Sequence, residues 1–323
     1  MRTDTRGPAQ LPGRHRAGHR LLVVTVLAVL LMTSALVWSH DSAASEGRDA
    51  ISLDPAAFAK GACVALSPTH GDRHQTVFLD AGHGGLDPGA VGTTSSGATI
   101  DEAAVTLPVE LDAASLLRAR GFRVVVSRTR DSSVVKLTSA DVDGQLLTLQ
   151  GAHDDVVARD ACADLADASV LLGIYFDSGG STQNAGSLTT YDADRPFSAA
   201  NLQLANLVQA DVLHAMNAQG WQIPDAGVVP DSDVGSLVPS SATIGIAAQA
   251  ASYGHVVLLG PALPGFLTTP TTMPGALIEP LFITDPFEGS LAASAHGQEV
   301  IARGLARAVE QYLPSPTSHP KGS

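Results

Sequence analysis

At 323 residues, with 45% hydrophobic and only 4% aromatic side chains, the chain can bury one large core or two small ones. A net charge of −13 argues against a nucleic-acid partner, because phosphate binding needs a basic face. The charge is also split: Arg2, Arg6, Arg14, Arg16 and Arg20 face one acid in the first twenty residues. That leaves 14 of the 19 basic and 31 of the 32 acidic side chains for the rest.

After this basic stretch (1–20), Leu21–Trp38 is uncharged and mostly aliphatic over 18 residues. It reads as a signal sequence or a transmembrane anchor with its basic end in the cytoplasm. The length is near the lower limit for spanning, and Ser42-Ala-Ala-Ser45 is the one candidate cleavage site, so an uncleaved anchor is preferred. Either reading places the remainder outside the cytoplasm, anchored or secreted. There the two cysteines, Cys63 and Cys162, can pair. The alternative is two separately buried thiols. Residues 39–71 read as a small, polar linker with an early strand around Ala62–Leu66.

Thr76–Leu79 is short, β-branched and apolar, as a buried strand is, and Gly82-His83-Gly84-Gly85 follows as a turn at its carboxyl edge. His83 is there a candidate metal ligand or a hydrogen-bonded loop histidine. Thr93–Thr99 reads as a loop. A helix then starts near Glu102 and kinks at Pro108, or starts only at Leu107. Leu107, Leu111, Ala114 and Leu117 recur at helical spacing, and Gly121 ends the element. Phe122–Ser127 is a strand, 150–167 a helix, and Ser169–Phe176 a strand. Ala185–Tyr191 reads as a further strand at the edge, and Ala199–Gly220 as a long amphipathic helix. Residues 221–253 are treated as an insert over the site. His255–Leu259 and Ala276–Glu279 are the last strands, 295–312 the closing helix, and 315–323 a disordered tail. The alternation predicts a single α/β domain, 72–314, with a mixed, mostly parallel central sheet flanked by helices on both faces.

Asp80-Ala-Gly-His-Gly-Gly-Leu-Asp-Pro-Gly-Ala-Val-Gly92 resembles the opening motif of the zinc-dependent N-acetylmuramoyl-L-alanine amidases, the amidase 3 family, with Ala81 replacing a proline. The resemblance implies that His83 binds zinc. Nineteen positions on, Glu102-x-x-x-Thr106-Leu107 is similar to the segment that carries the family's zinc-binding glutamate. A first-turn acid favoured by the helix dipole is the alternative there. Near the carboxyl end, Met273–Pro286 looks like the family's segment bearing the catalytic base, which implies that role for Glu279. An acid at the end of an apolar strand is partly desolvated, which suits it to accept a proton from metal-bound water.

The resemblance departs at the third zinc position, where Ala166-Asp167 and the strand after it align Tyr175 with the family's histidine. Tyrosine binds a metal only as phenolate, and its reference pKa near 10 disfavours that. Asp177, two residues on and on the same strand face, is an alternative donor, and so is a weak or empty site. His153, His214 and His255 have nothing in their context to single them out. Asp80 and Asp87 read as loop formers, while Arg159 falls where the family has an arginine.

The resemblance implies a monomeric peptidoglycan hydrolase of the cell wall that cuts the N-acetylmuramic acid–L-alanine amide. His83, Glu102 and Tyr175 would hold Zn2+, and Glu279 would be the base. The competing reading is an inactive relative that binds wall peptide or regulates a true amidase.

Overall fold

In the middle of the sheet, side chains alternate between two cores, as a strand covered on both faces requires. Val77 and Leu79 join one apolar cluster and Phe78 the other; so do Val124 and Val126 against Val125, and Leu172 against Leu171. The computed structural model describes residues 50–234 and 252–314.

In chain order the elements are β1 (Ala50–Ser52), β2 (Ala62–Leu66), β3 (Thr76–Ala81), the β4 (Val91–Thr93) and β5 (Thr99–Asp101) hairpin, and α1 (Glu102–Ala119). Then come β6 (Arg123–Arg128), β7 (Val142–Asp143), β8 (Leu146–Leu147), α2 (Leu149–Leu165), β9 (Val170–Ile174) and β10 (Ser187–Tyr191). The chain continues through α3 (Ser198–Asn217), β11 (Asp225–Pro230), α4 (Asp231–Val234), β12 (Gly275–Glu279), α5 (Pro286–Ala292) and α6 (Ala295–Tyr312).

Among the described residues, eight strands form one sheet in the order β1-β2-β6-β3-β9-β12-β10-β11. The pairs β6–β3, β3–β9, β9–β12 and β10–β11 are parallel, whereas β1–β2, β2–β6 and β12–β10 are antiparallel. Helices α1, α3 and α6 cover one face with residues such as Val109, Leu204 and Leu305, and α2 covers the other through Cys162 and Ala163. The expected α/β domain, with a mixed, mostly parallel sheet and helices on both faces, is the one observed.

Several local expectations change. The early strand expected around Ala62–Leu66 is β2, and Ala50–Ser52, expected as linker, adds a second strand to the sheet. Cys63 in β2 is disulfide-bonded to Cys162 in α2, across a sequence separation of 99. The helix over the first motif begins at Glu102 and runs through Pro108. In the turn before the proline, the Ala103 carbonyl accepts from the Thr106 hydroxyl and the Arg128 guanidinium. β10 is not an edge: β12 flanks it on one side and β11 on the other. β11 itself falls within the expected insert. Its Asp-Ala-Gly-Val-Val-Pro run has no alternation to announce it, and Gly227 takes φ +90°.

His255–Leu259 is a turn rather than a strand, although Leu258 and Leu259 are buried; apolar runs of that length do not distinguish the two. The segment 21–38, the tail 315–323 and most of the insert lie outside the described residues. Among the described residues, no helix is long and apolar enough to cross a membrane.

Candidate active site

The carboxyl ends of the parallel strands β3, β9 and β12 lie side by side, and each sends a motif to the same sheet edge. From β3 the chain enters the glycine turn, where His83 adopts φ +62°, a left-handed backbone that is uncommon outside glycine. Gly82 is needed before it, since a Cβ there would stand 2.5 Å from Tyr175 Cε1. Arg159, buried on α2, holds the turn by donating to the Ala81 carbonyl at 2.7 Å and the His83 carbonyl at 2.8 Å. The same guanidinium pairs with Asp80 and Asp155. Thr106 and Arg128 fix the Gly82 carbonyl from α1 and β6.

The His83 imidazole lies between two carboxylates. Nδ1 is 2.8 Å from Asp87 Oδ2, and Nε2 is 3.1 Å from Glu102 Oε2. Glu102 is itself anchored: its Oε2 accepts the Ala90 amide and its Oε1 the Phe176 amide. Gly89 leaves room for this pair, because a Cβ there would meet His83 Cδ2 at 2.6 Å and Glu102 Oε2 at 2.8 Å. Burial alone would lower the His83 pKa, but its hydrogen bonds to Asp87 and Glu102, with their charges, raise it to about 10. The ring is therefore a proton-bearing bridge in which a cation can replace the proton on Nε2. Two tetrahedral donors of one zinc stand about 3.4 Å apart. The observed Nε2–Oε2 separation is close to that, so this pair fits two ligands of one ion.

Glu279 closes β12 with 9% of its surface exposed. Burial, then the charges of Asp177 and Glu102, push its carboxyl up to about 8, opposed by His83. Burial and the Glu102 charge also raise Asp177. His83, Glu102, Asp177 and Glu279 thus share one electrostatic neighbourhood.

Tyr175 is part of the wall beside them. Its ring meets the His83 ring edge-on at 5.3 Å, and its hydroxyl donates to Asp80 Oδ2 at 3.2 Å. Burial, with the Asp80 charge next, holds its pKa well above the usual phenol value.

Asp87 and Asp80, read from sequence as loop formers, have more specific roles. Asp87 does bond the Gly89 amide, but its other oxygen orients His83. Its position four residues after the histidine was the available signal. Asp80 joins Arg159 to Tyr175, a link between distant segments that spacing does not reveal. His153 and His214 lie elsewhere, on α2 and α3.

Residues 77–311 match the family model described as N-acetylmuramoyl-L-alanine amidase. Among solved structures, the chain is similar to the CwlD amidase of Clostridioides difficile, solved in complex with the GerS lipoprotein. Identity is 20%, with 74% of this chain and 98% of that one covered, at a TM-score of 0.53. Cwp6 from Clostridium difficile aligns at 17% identity, covering 73% of this chain and 29% of that one, with a TM-score of 0.50. Curated proteins give no match. The family match spans well over half of the chain and includes His83, Glu102 and Glu279, so the chain belongs to the amidase 3 family of N-acetylmuramoyl-L-alanine amidases.

Proposed function

We propose that this amidase hydrolyses the bond between N-acetylmuramic acid and L-alanine with a zinc ion at His83 and Glu102 and with Glu279 as general base. The observation that carries this reading is the 3.1 Å approach of His83 Nε2 to Glu102 Oε2 beside a carboxyl raised to about 8. When bound, the ion would polarise the amide carbonyl and lower the pKa of a water molecule.

The chain's own residues supply the rest. Asp87 keeps Nδ1 protonated, so that Nε2 presents its lone pair to the ion. Glu279, desolvated at its strand end, has the proton affinity to take a proton from water and pass it to the departing amine of L-alanine. Arg159 holds the turn that carries His83.

For the third protein donor we propose Asp177. Tyr175, at the position where the family has histidine, is the competing donor, but its hydroxyl is bonded to Asp80 and strongly favours the protonated form. Outside the cytoplasm, held at the membrane by 21–38, a monomer would act on the wall.

The test is mass analysis of peptidoglycan digested by the full-length chain with added zinc. Stem peptides with a free L-alanine amino terminus are expected. Intact muropeptides from protein that has taken up zinc would refute the assignment and favour a wall-binding relative.

A further inference from the structure

A second group of metal-ligand side chains lies at the opposite edge of the sheet. Asp192 directly follows β10, Asp231 directly follows the parallel strand β11, and His255 comes from the turn region beyond. β10 runs antiparallel to β12 and pairs Leu188 with Glu279. Asp192 is four residues further along, so at ~3.3 Å per residue it is about 13 Å from the Glu279 end of the sheet. This cluster therefore does not belong to the candidate active site.

Three donor atoms lie close together. His255 Nδ1 is 3.1 Å from Asp192 Oδ2 and 3.2 Å from Asp231 Oδ1. All three donor atoms lie within 4.8 Å of one another. Donors of one zinc, each ~2.0–2.2 Å from the ion, can be at most about 4.4 Å apart, which the two measured separations satisfy.

The other oxygens of both acids are already in use. Asp192 Oδ1 accepts the amides of Asp194 and Arg195, and Asp231 Oδ2 accepts the Val256 amide. The carboxylates are thereby held with Asp192 Oδ2 and Asp231 Oδ1 turned inward. Both aspartates are fully buried, and Asp192 Oδ2 has no hydrogen-bond partner among the described residues. The imidazole aligns its single Nδ1 with Asp231 and leaves this second oxygen without an aligned donor. A buried carboxylate oxygen without one is costly and needs an explanation.

The far side of the ring faces an exposed acid and an aromatic ring. Nε2 is 3.6 Å from the exposed carboxylate of Asp194, and Tyr253 packs edge-on at 5.4 Å. Nδ1, the ring nitrogen between the two buried aspartates, is the one placed to ligate. Two carboxylates and a neutral imidazole balance a dication, and an imidazole in the set favours a first-row transition ion over calcium.

We propose that Asp192, Asp231 and His255 form a structural site for a divalent transition ion of the zinc class, separate from the amidase centre. The ion ties the ends of β10 and β11 to the 255–260 turn. Arg195 binds the same turn through the carbonyls of Leu259 and Gly260.

The test uses the full-length chain carrying His83→Ala and Glu102→Ala, so that the candidate active site no longer contributes. Equilibrium dialysis with zinc chloride should still find about one equivalent bound, with a rise in thermal midpoint on zinc addition. Adding His255→Gln, or separately Asp192→Asn, should weaken that binding at least tenfold. Absence of both binding and midpoint shift in the double variant would overturn the site. So would zinc affinity unmoved by His255→Gln, or calcium chloride binding as tightly as zinc. Should Asp192→Asn not fold, the double variant and its His255→Gln derivative decide the question.

Discussion

Asp87 Oδ2 lies 2.8 Å from His83 Nδ1, and this contact sets the direction of the whole imidazole. Without it the ring could turn about χ2 and Nε2 would lose its alignment with Glu102. Replacing Asp87 by Ala should therefore lower zinc affinity by ~10–100-fold, in line with outer-shell partners of metal histidines. Titration of the metal-depleted protein with a zinc indicator checks this.

Zinc must displace a proton from His83, whose pKa is raised to about 10 by Asp87 and Glu102 against the effect of burial. Affinity should consequently climb roughly tenfold per pH unit across the neutral range. Calorimetry in buffers of different ionisation enthalpy should detect proton release on zinc addition at pH 7. In the metal-free protein the sign is opposite. A histidine with a raised pKa stabilises the fold fully below its ordinary value of 6.5, and that contribution is lost as pH rises through about 10.

Glu279→Gln keeps shape and removes the base. We expect kcat to fall by ~10²–10⁴-fold, with bound zinc unchanged, since the residue is assigned to proton transfer rather than to the ion. Turnover on purified muropeptide and metal content measured on the same sample separate these two roles.

Tyr175 and Asp177 are distinguished by paired variants. Tyr175→Phe should retain zinc and lose about 1 kcal/mol of stability with the Asp80 bond. Asp177→Asn should lower zinc occupancy at least tenfold. The reverse result would transfer the third position to Tyr175. Tyr175→His, which restores the family pattern, should tighten zinc binding in either case.

Removing the Cys63–Cys162 bridge by a double Ala substitution frees a loop of 99 residues. The chain-entropy model gives a loss of up to ~4–5 kcal/mol, measurable from urea unfolding midpoints.

How much the sequence showed depended on whether the determining contacts were local. β3, β6 and β9 were readable because buried parallel strands are continuous apolar runs, and α6 because its apolar positions repeat at helical spacing. His83, Glu102 and Glu279 were legible as motif members. β11 is not legible in the sequence, because its residues, Asp225 to Pro230, acquire strand geometry only by pairing with β10. The turn at His255 has the apolar composition of a strand because its leucines are buried by tertiary packing. The Asp80–Tyr175 bond joins residues 95 positions apart, and the Asp192–Asp231–His255 cluster is assembled across two strand ends. No spacing rule announces either.

Arg159 and Cys162 share one helix, three residues apart, so the clamp on the His83 turn and the anchor of the disulfide move as one body. Without the bridge, that helix is still held by packing and by the polar contacts of Arg159 and Asp155, but has no covalent tie to β2. Formation of the bridge staples it to β2 and completes the support beneath the histidine. The covalent tie between β2 and α2 thereby reaches the active turn through a single side chain, Arg159.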